Sequence, residues 1–347
     1  MLTAAAVRLF PALLALVSAF LTIMIGLWLS GVSVTTVLSA LLTGAAGDAY
    51  RLSETAVKAC PLLFTGLAVA LALHAGVWNI GAEGQLLLGA LATVWIGQYT
   101  ASLPPFLAIS LISLAALTAG LVWAGCAALL KQYRHVNEVI STIMLNFIAA
   151  HLVSYCVQGP LMEAAGRYPQ TDPLPSAARL PPLLPPTRLH LGIPVALVIT
   201  TIVWMFLYRT KAGFRLRATG ANPIAARFAG IAVDHEITRA LLFSGALAGL
   251  AGGIEVSGIT NRVYEKFSPG YGYTAIAVAL VGQRSPFGVI LAAVFFGALE
   301  AGSGTVQRIA GVSSVLVSII QATVVLFLAV YSSDTVLQRL QRRKESS

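Results

Sequence analysis

The side chains that could do chemistry lie inside otherwise apolar stretches. The densest group is HAGVWNIGAEGQLLLGA, residues 74–90, where Asn79, Glu83 and Gln85 stand among Gly76, Gly81 and Gly84. An amide offers donors and an acceptor, and a carboxylate offers acceptors alone. Such a trio can hold a polar ligand, or it can cap backbone groups left free where a helix breaks. The three glycines permit a tight, non-helical reversal, and irregular backbone at membrane depth persists only where protein or a cavity surrounds it. Two readings therefore stand. Asn79, Glu83 and Gln85 line a pathway or gate, or they lock a hairpin whose next helix carries an acid at its positive end. Asn146, beside Thr142 in an apolar run, is a further pathway candidate, with an interhelix amide bond as the alternative. Glu255 follows Gly245, Gly249 and Gly253, a double GxxxG suited to close helix packing. It lies off that glycine face, and neither it nor Glu300 has a partner evident in the sequence.

Catalytic arrangements are missing. None of the five lysines follows a glycine, which excludes a GxxxxGK[ST] phosphate loop. The five histidines are scattered without zinc-ligand spacing, and there is no GxSxG. Cys60, Cys126 and Cys156 sit in apolar segments without CxxC spacing and read as small hydrophobes. The chain is not read as an enzyme, and no metal or cofactor is expected.

The elements that must position these residues are membrane helices. Hydrophobic residues make up 57% of the 347, charged ones 10%, and mean hydropathy is +0.84. Soluble proteins carry about 25% charged residues. Spans are expected near 10–30, 57–77, 84–103, 106–130, 138–158, 191–208, 239–259, 271–283, 287–304 and 313–332, giving one all-α transmembrane domain over 1–347 with about ten helices and a broken-helix segment. The 271–283 span is short and could be tilted, broken or re-entrant. With both termini, including the tail 334–347, in the cytoplasm, the inside segments hold fourteen of the twenty-two cations, as the positive-inside rule requires. The net charge of +9 is thus a topology signal, and nucleic-acid binding is not expected. On this topology Glu83 falls at or just inside the cytoplasmic end of its span, within reach of water.

Two segments outside the spans stand out. Residues 159–190 hold eight of the sixteen prolines and read as an irregular external loop, either a spacer or a docking surface. In RTKAGFRLRATGANPIAARFAGI, 209–231, Asn222–Pro223 is a helix start and Gly230 a stop. The short helix between them has Ile224 and Phe228 on one face. Alone it buries too little to be stable, so it needs a groove in a partner or, with Arg215, Arg217 and Arg227, an anionic lipid surface.

Four segments carry a family resemblance. GFRLRATGANPIAARFAGI, VWNIGAEGQLLLGA, NEVISTIMLNFIA and FSPGYGYTAIAVALVG, spread from residue 77 to 282, resemble ABC-importer permeases for simple sugars and nucleosides. The match is nearest to nucleoside-type permeases that work with a basic-membrane-protein lipoprotein receptor. The resemblance implies a subunit of a bacterial cell-membrane importer that pairs with a second, related permease. An external lipoprotein would deliver cargo, and a separate ATPase would supply energy. The loop 209–238 would then hold the coupling helix, with Arg215, Arg217, Gly220, Asn222, Pro223, Ile224, Arg227, Phe228 and Gly230 as its working residues. Asn146 would meet ribose hydroxyls or a base edge. Selectivity would rest mostly with the receptor. An ion-coupled secondary transporter is the rival reading, and it has no special need for the 209–231 loop.

Overall fold

The computed structural model describes residues 2–29, 31–313 and 315–331. The tail 334–347 lies outside them. The described residues form α-helices α1 (Leu2–Leu29), α2 (Val34–Ala46), α3 (Ala49–His74), α4 (Ala82–Gly97), α5 (Pro105–Arg134), α6 (Glu138–Gln158), α7 (Gly192–Arg209), α8 (Lys211–Ala221), α9 (Pro223–Phe228), α10 (Val233–Glu255), α11 (Tyr271–Val281), α12 (Pro286–Ala310) and α13 (Val315–Tyr331). No strand occurs among them. Six helices (α3, α5, α6, α7, α10 with its extension to Thr260, and α12) are long and apolar enough to cross a membrane.

α10 sits at the centre, packed on α3, α4 and α5. The glycine stripe explains how. A side chain at Gly245 or Gly249 would run into the α5 backbone at Ala116–Gly120, so the helices touch backbone to backbone. α3 is buried along nearly its whole length against α10, α11 and α12.

Contacts define the two ends of the bundle. At one, Thr238 donates to Gln132 at 3.2 Å and His74 meets the Arg284 carbonyl at 3.0 Å. This basic end gathers Lys131, Arg134, Arg209, Arg215, Arg217, Arg227, Arg239 and Arg284. At the other, Arg188 pairs with Glu54, and Arg51 reaches Thr305 at 3.3 Å.

Two helices were not foreseen. α2 is 13 residues long, too short and too rich in threonine and serine for a span criterion, although Ser33 caps it through the Thr36 N–H. It runs alongside α12 in the same direction, Leu41 against Gly302 and Gly44 against Thr305. α8 occupies 211–221, where only the helix at 223 was expected. Thr210 caps it, accepting from the Gly213 N–H at 3.0 Å, and its two glycines mute any sequence signal.

The proline-rich segment is irregular, as expected, and it is docked along its length. Thr171, Leu174 and Leu180 donate backbone N–H groups to Val263, Asn261 and Ser257 at 2.7–2.8 Å, and Leu174 packs against Gly97. It caps the loop end of the bundle. His190 lies buried there, its Nδ1 accepting from the Gly192 N–H at 3.1 Å, and burial lowers its pKa to about 4.

Candidate functional site

Between α3 and α4 the chain runs non-helically from Ala75 to Gly81. Gly76 makes the turn at φ +78°, in contact with Gly220 of α8. α4 then starts at Ala82, well inside the bundle. Its depth follows from α11, whose first turn it meets: the Gly272 N–H donates to Glu83 Oε2 at 2.7 Å, and Ser268 is a second partner of the same carboxylate. α11 has 11 residues, a rise of about 16 Å, and ends at the basic end beside Arg284. Glu83, at the first turn of α11, therefore lies about 16 Å along that helix from its end at Arg284. The expectation of a boundary glutamate reaching water is corrected: it is 6% exposed, because the first turn of α11 closes over it. The N-termini of α4 and α11 converge on this carboxylate, an acid placed where both dipoles favour it.

The amides around it form a closed network. Asn79 and Gln85 exchange hydrogen bonds, Asn79 Nδ2 to Gln85 Oε1 at 2.8 Å and Gln85 Nε2 to Asn79 Oδ1 at 3.0 Å. Asn79 also donates to Ser244 of α10 at 2.7 Å, and Ser244 donates to the Ala68 carbonyl of α3 at 2.6 Å. From α6, Asn146 Oδ1 accepts from the Gly84 N–H at 2.8 Å, and its Nδ2 donates to the Ile80 carbonyl at 2.9 Å. The Trp78 N–H goes to the Glu138 carboxylate. Peptide groups stranded by the break are thus satisfied by side chains from α6 and by the hairpin's own amides. Asn79, Gln85 and Asn146 are each 2% exposed or less, with their polar atoms turned toward protein.

Glu255 is separate from this network. It is buried at the last residue of α10, where residues 256–260 form a π-turn, a feature common at functional sites. Lys58 and Arg188 are the cations whose charge it feels, a proximity that sequence distance concealed.

At the basic end, α9 is capped at both ends. Asn222 Oδ1 accepts from the N–H groups of Ile224 at 3.1 Å and Ala225 at 3.0 Å. Gly230, at φ +79°, closes the helix, with its N–H donating to Arg227 and that of Ile231 to Ala226, a Schellman arrangement. Arg227 pairs with Asp234 at 3.2 Å. Ile224 is 68% and Phe228 89% exposed. Arg215 and Arg217 are tied to this chain: Arg215 pairs with Glu236 at 3.4 Å, while Arg217 donates to the Leu207 carbonyl at 3.0 Å and lies 4.9 Å over the Tyr208 ring. Arg239 meets Glu236 as well, at 3.1 Å, so one buried carboxylate holds α8 to α10. Glu236 was absent from the sequence-level candidates. Its position three residues before Arg239 was the available signal.

A helical bundle with several span-length apolar helices and a buried broken hairpin is the form of a multi-pass membrane protein. Residues 51–330 match the family described as the branched-chain amino acid transport system permease component, and the chain belongs to that family. It is 40% identical to the glucose ABC transporter permease protein of Haloferax volcanii, covering 87% of each chain. It is 38% identical to the guanosine ABC transporter permease protein of Bacillus subtilis, over 90% of this chain and 91% of that one. The nucleoside ABC transporter permease protein of Lactococcus lactis is 29% identical over 84% of this chain and 82% of its own. The chain is an ABC-transporter permease.

Proposed function

We propose that this chain is one of two permease subunits of an ATP-driven importer, that α8 and α9 dock a separate ATPase, and that the cargo is a nucleoside. The observation that carries the reading is Phe228. It is 89% exposed on a helix whose backbone groups are satisfied at both ends, so α9 holds its shape while its apolar face has no cover in this chain. That is the form of a helix that fills a partner's groove. The absence of a phosphate loop assigns hydrolysis to the partner. The basic end is then cytoplasmic, both termini lie on that side, and an external lipoprotein delivers cargo to the loop end. Taking α1 with α2 as one crossing, and counting the shorter α4 and α11 as one each, the chain crosses about ten times.

In this reading Asn79, Gln85 and Asn146 lock the hairpin, and Glu83 joins α4 to α11. Glu255, near Lys58 and Arg188, remains the pathway residue toward the loop end. The guanosine and nucleoside relatives support the nucleoside assignment. The glucose relative supports a second reading, a simple sugar; the shared chemistry is a chain or ring bearing adjacent hydroxyls. Uptake of labelled nucleosides, ribose and glucose by cells with and without this chain separates them. Loss of sugar uptake with nucleoside uptake untouched overturns the nucleoside assignment. Recovery of the chain alone in mild detergent, with transport intact in vesicles lacking ATP, overturns the importer.

A further inference from the structure

A cavity of about 160 Å³ opens at the N-terminal end of α11, between α3, α11, α12 and α13. Tyr271 and Thr274 of α11, Glu300 and Ser303 of α12, and Ser318 of α13 line it, against the apolar wall of Leu62. None of these belongs to the hairpin network. Glu300 lies fourteen residues along α12 from Pro286, about 21 Å from the basic end. A carboxylate at that depth is expensive unless it is used. The Glu300 side chain has no hydrogen bond or ion pair among the described residues; only its carbonyl is engaged, by Ser303 at 2.7 Å.

The cavity is also unfinished. On one side Val315 is 59% exposed and Ser318 is exposed beside it. Lipid there would face a carboxylate and hydroxyls, an arrangement tolerated only where protein or water covers it. A carboxylate can accept from two adjacent hydroxyls at once, one per oxygen, and serine and tyrosine hydroxyls both donate and accept. The lining therefore suits a neutral cargo carrying a vicinal diol better than a flat base or an anion.

We propose that this cavity is the transit site for the vicinal hydroxyls of the cargo, with Glu300 accepting from the pair, and that the second permease subunit closes its open side. The inference rests on the importer reading above. It is tested in the whole assembly, reconstituted in liposomes with its ATPase and receptor, using labelled guanosine and labelled ribose as probes. Glu300→Gln keeps the size and removes one acceptor and the charge. Transport of the probe taken up by the wild type should fall at least about tenfold, the worth of one hydrogen bond to a charged group, while receptor-stimulated ATP hydrolysis stays within about twofold. Transport unchanged within twofold would overturn the site.

A second variant covers failure of Glu300→Gln to assemble. Ser318→Cys should be labelled by a membrane-impermeant thiol reagent above the background of Cys60, Cys126 and Cys156 in the parent chain, and the probe should protect it. A thiol that is unreactive, or that reacts equally with and without probe, sinks the proposal. If the wild-type assembly takes up neither probe, the importer reading fails first and this one falls with it.

Discussion

The hairpin at 75–85 and the loop at 209–231 are built from the same parts. Each has an asparagine that caps backbone N–H groups, a short helix start and a glycine at positive φ. In the hairpin the polar side chains Asn79, Glu83 and Gln85 are answered inside the chain, by each other, Ser244 and the Gly272 N–H, and Asn146 answers the backbone. In the loop the backbone and the arginines are answered and the apolar face of α9 is not: Ile224 and Phe228 point away from the protein. A region whose interactions close upon themselves is built to hold shape. One with a rigid backbone and uncovered apolar side chains has the form expected of the docking element proposed above. The two meet at one point, Gly76 against Gly220, where a Cβ on Gly220 would overlap the His74 carbonyl.

The sharpest break of this comparison is a charge on the uncovered face. Phe228→Asp should abolish transport, because a buried carboxylate in a partner's groove has no counter-ion. The residue is exposed in this chain, so thermal stability in detergent should change by less than about 0.5 kcal/mol. Normal transport by this variant would remove α9 as the docking element.

The next tests the junction. Gly220→Ala forces α8 away from the His74–Gly76 turn, with no room on either side since both surfaces are backbone. Transport should fall by about tenfold or more, and ATP hydrolysis should no longer rise with liganded receptor. Retained stimulation with retained transport would show that the two regions act independently.

Much of this division was legible in the sequence. Asn222–Pro223 and Gly230 mark α9 because capping is local chemistry, and the glycines of 76–84 mark a break for the same reason. The double GxxxG gives α10 its packing face. What was hidden is what depends on distance. Counting residues puts Glu83 at the water boundary because it cannot show that the first turn of α11, distant in sequence, closes over the carboxylate. α8 escaped notice because its buried face is only Gly213, Leu216 and Thr219, too small for a period to register. Arg215 and Arg217 read as lipid or partner contacts, since Glu236, Leu207 and Tyr208 join them only in the folded loop. The proline-rich loop gave no hint that it would pair with 256–264, because such pairing uses backbone groups common to any sequence.

A milder variant sharpens the closed half of the comparison. Asn146→Ala leaves the Gly84 N–H and the Ile80 carbonyl without partners in a buried site. Each unsatisfied group costs about 1–3 kcal/mol, so the assembly should lose about 2–6 kcal/mol in a denaturation series. Which nucleosides compete for uptake should not change, since the amide faces backbone. A changed competition order with stability intact would mean that Asn146 meets cargo, and the hairpin would no longer count as closed.

The smallest effect expected lies at the seam itself. Thr219 is buried in α8 beside Gly220, and its hydroxyl has no hydrogen-bond partner among the described residues. A buried unpaired hydroxyl is a cost in this conformation, so Thr219→Val, which keeps the shape, should raise stability by up to about 1 kcal/mol. A transporter must visit at least one other conformation, and a polar group left unpaired in one state is readily explained if another state pairs it. Stabilising this state by about 1 kcal/mol shifts that equilibrium about fivefold, and transport should slow by no more than that factor while stability rises. The paired measurement is a melting curve and an uptake rate on the same preparation. Higher stability with an unchanged rate would mean the hydroxyl is idle in every state, leaving Gly76 and Gly220 as a fixed joint between the closed region and the open one.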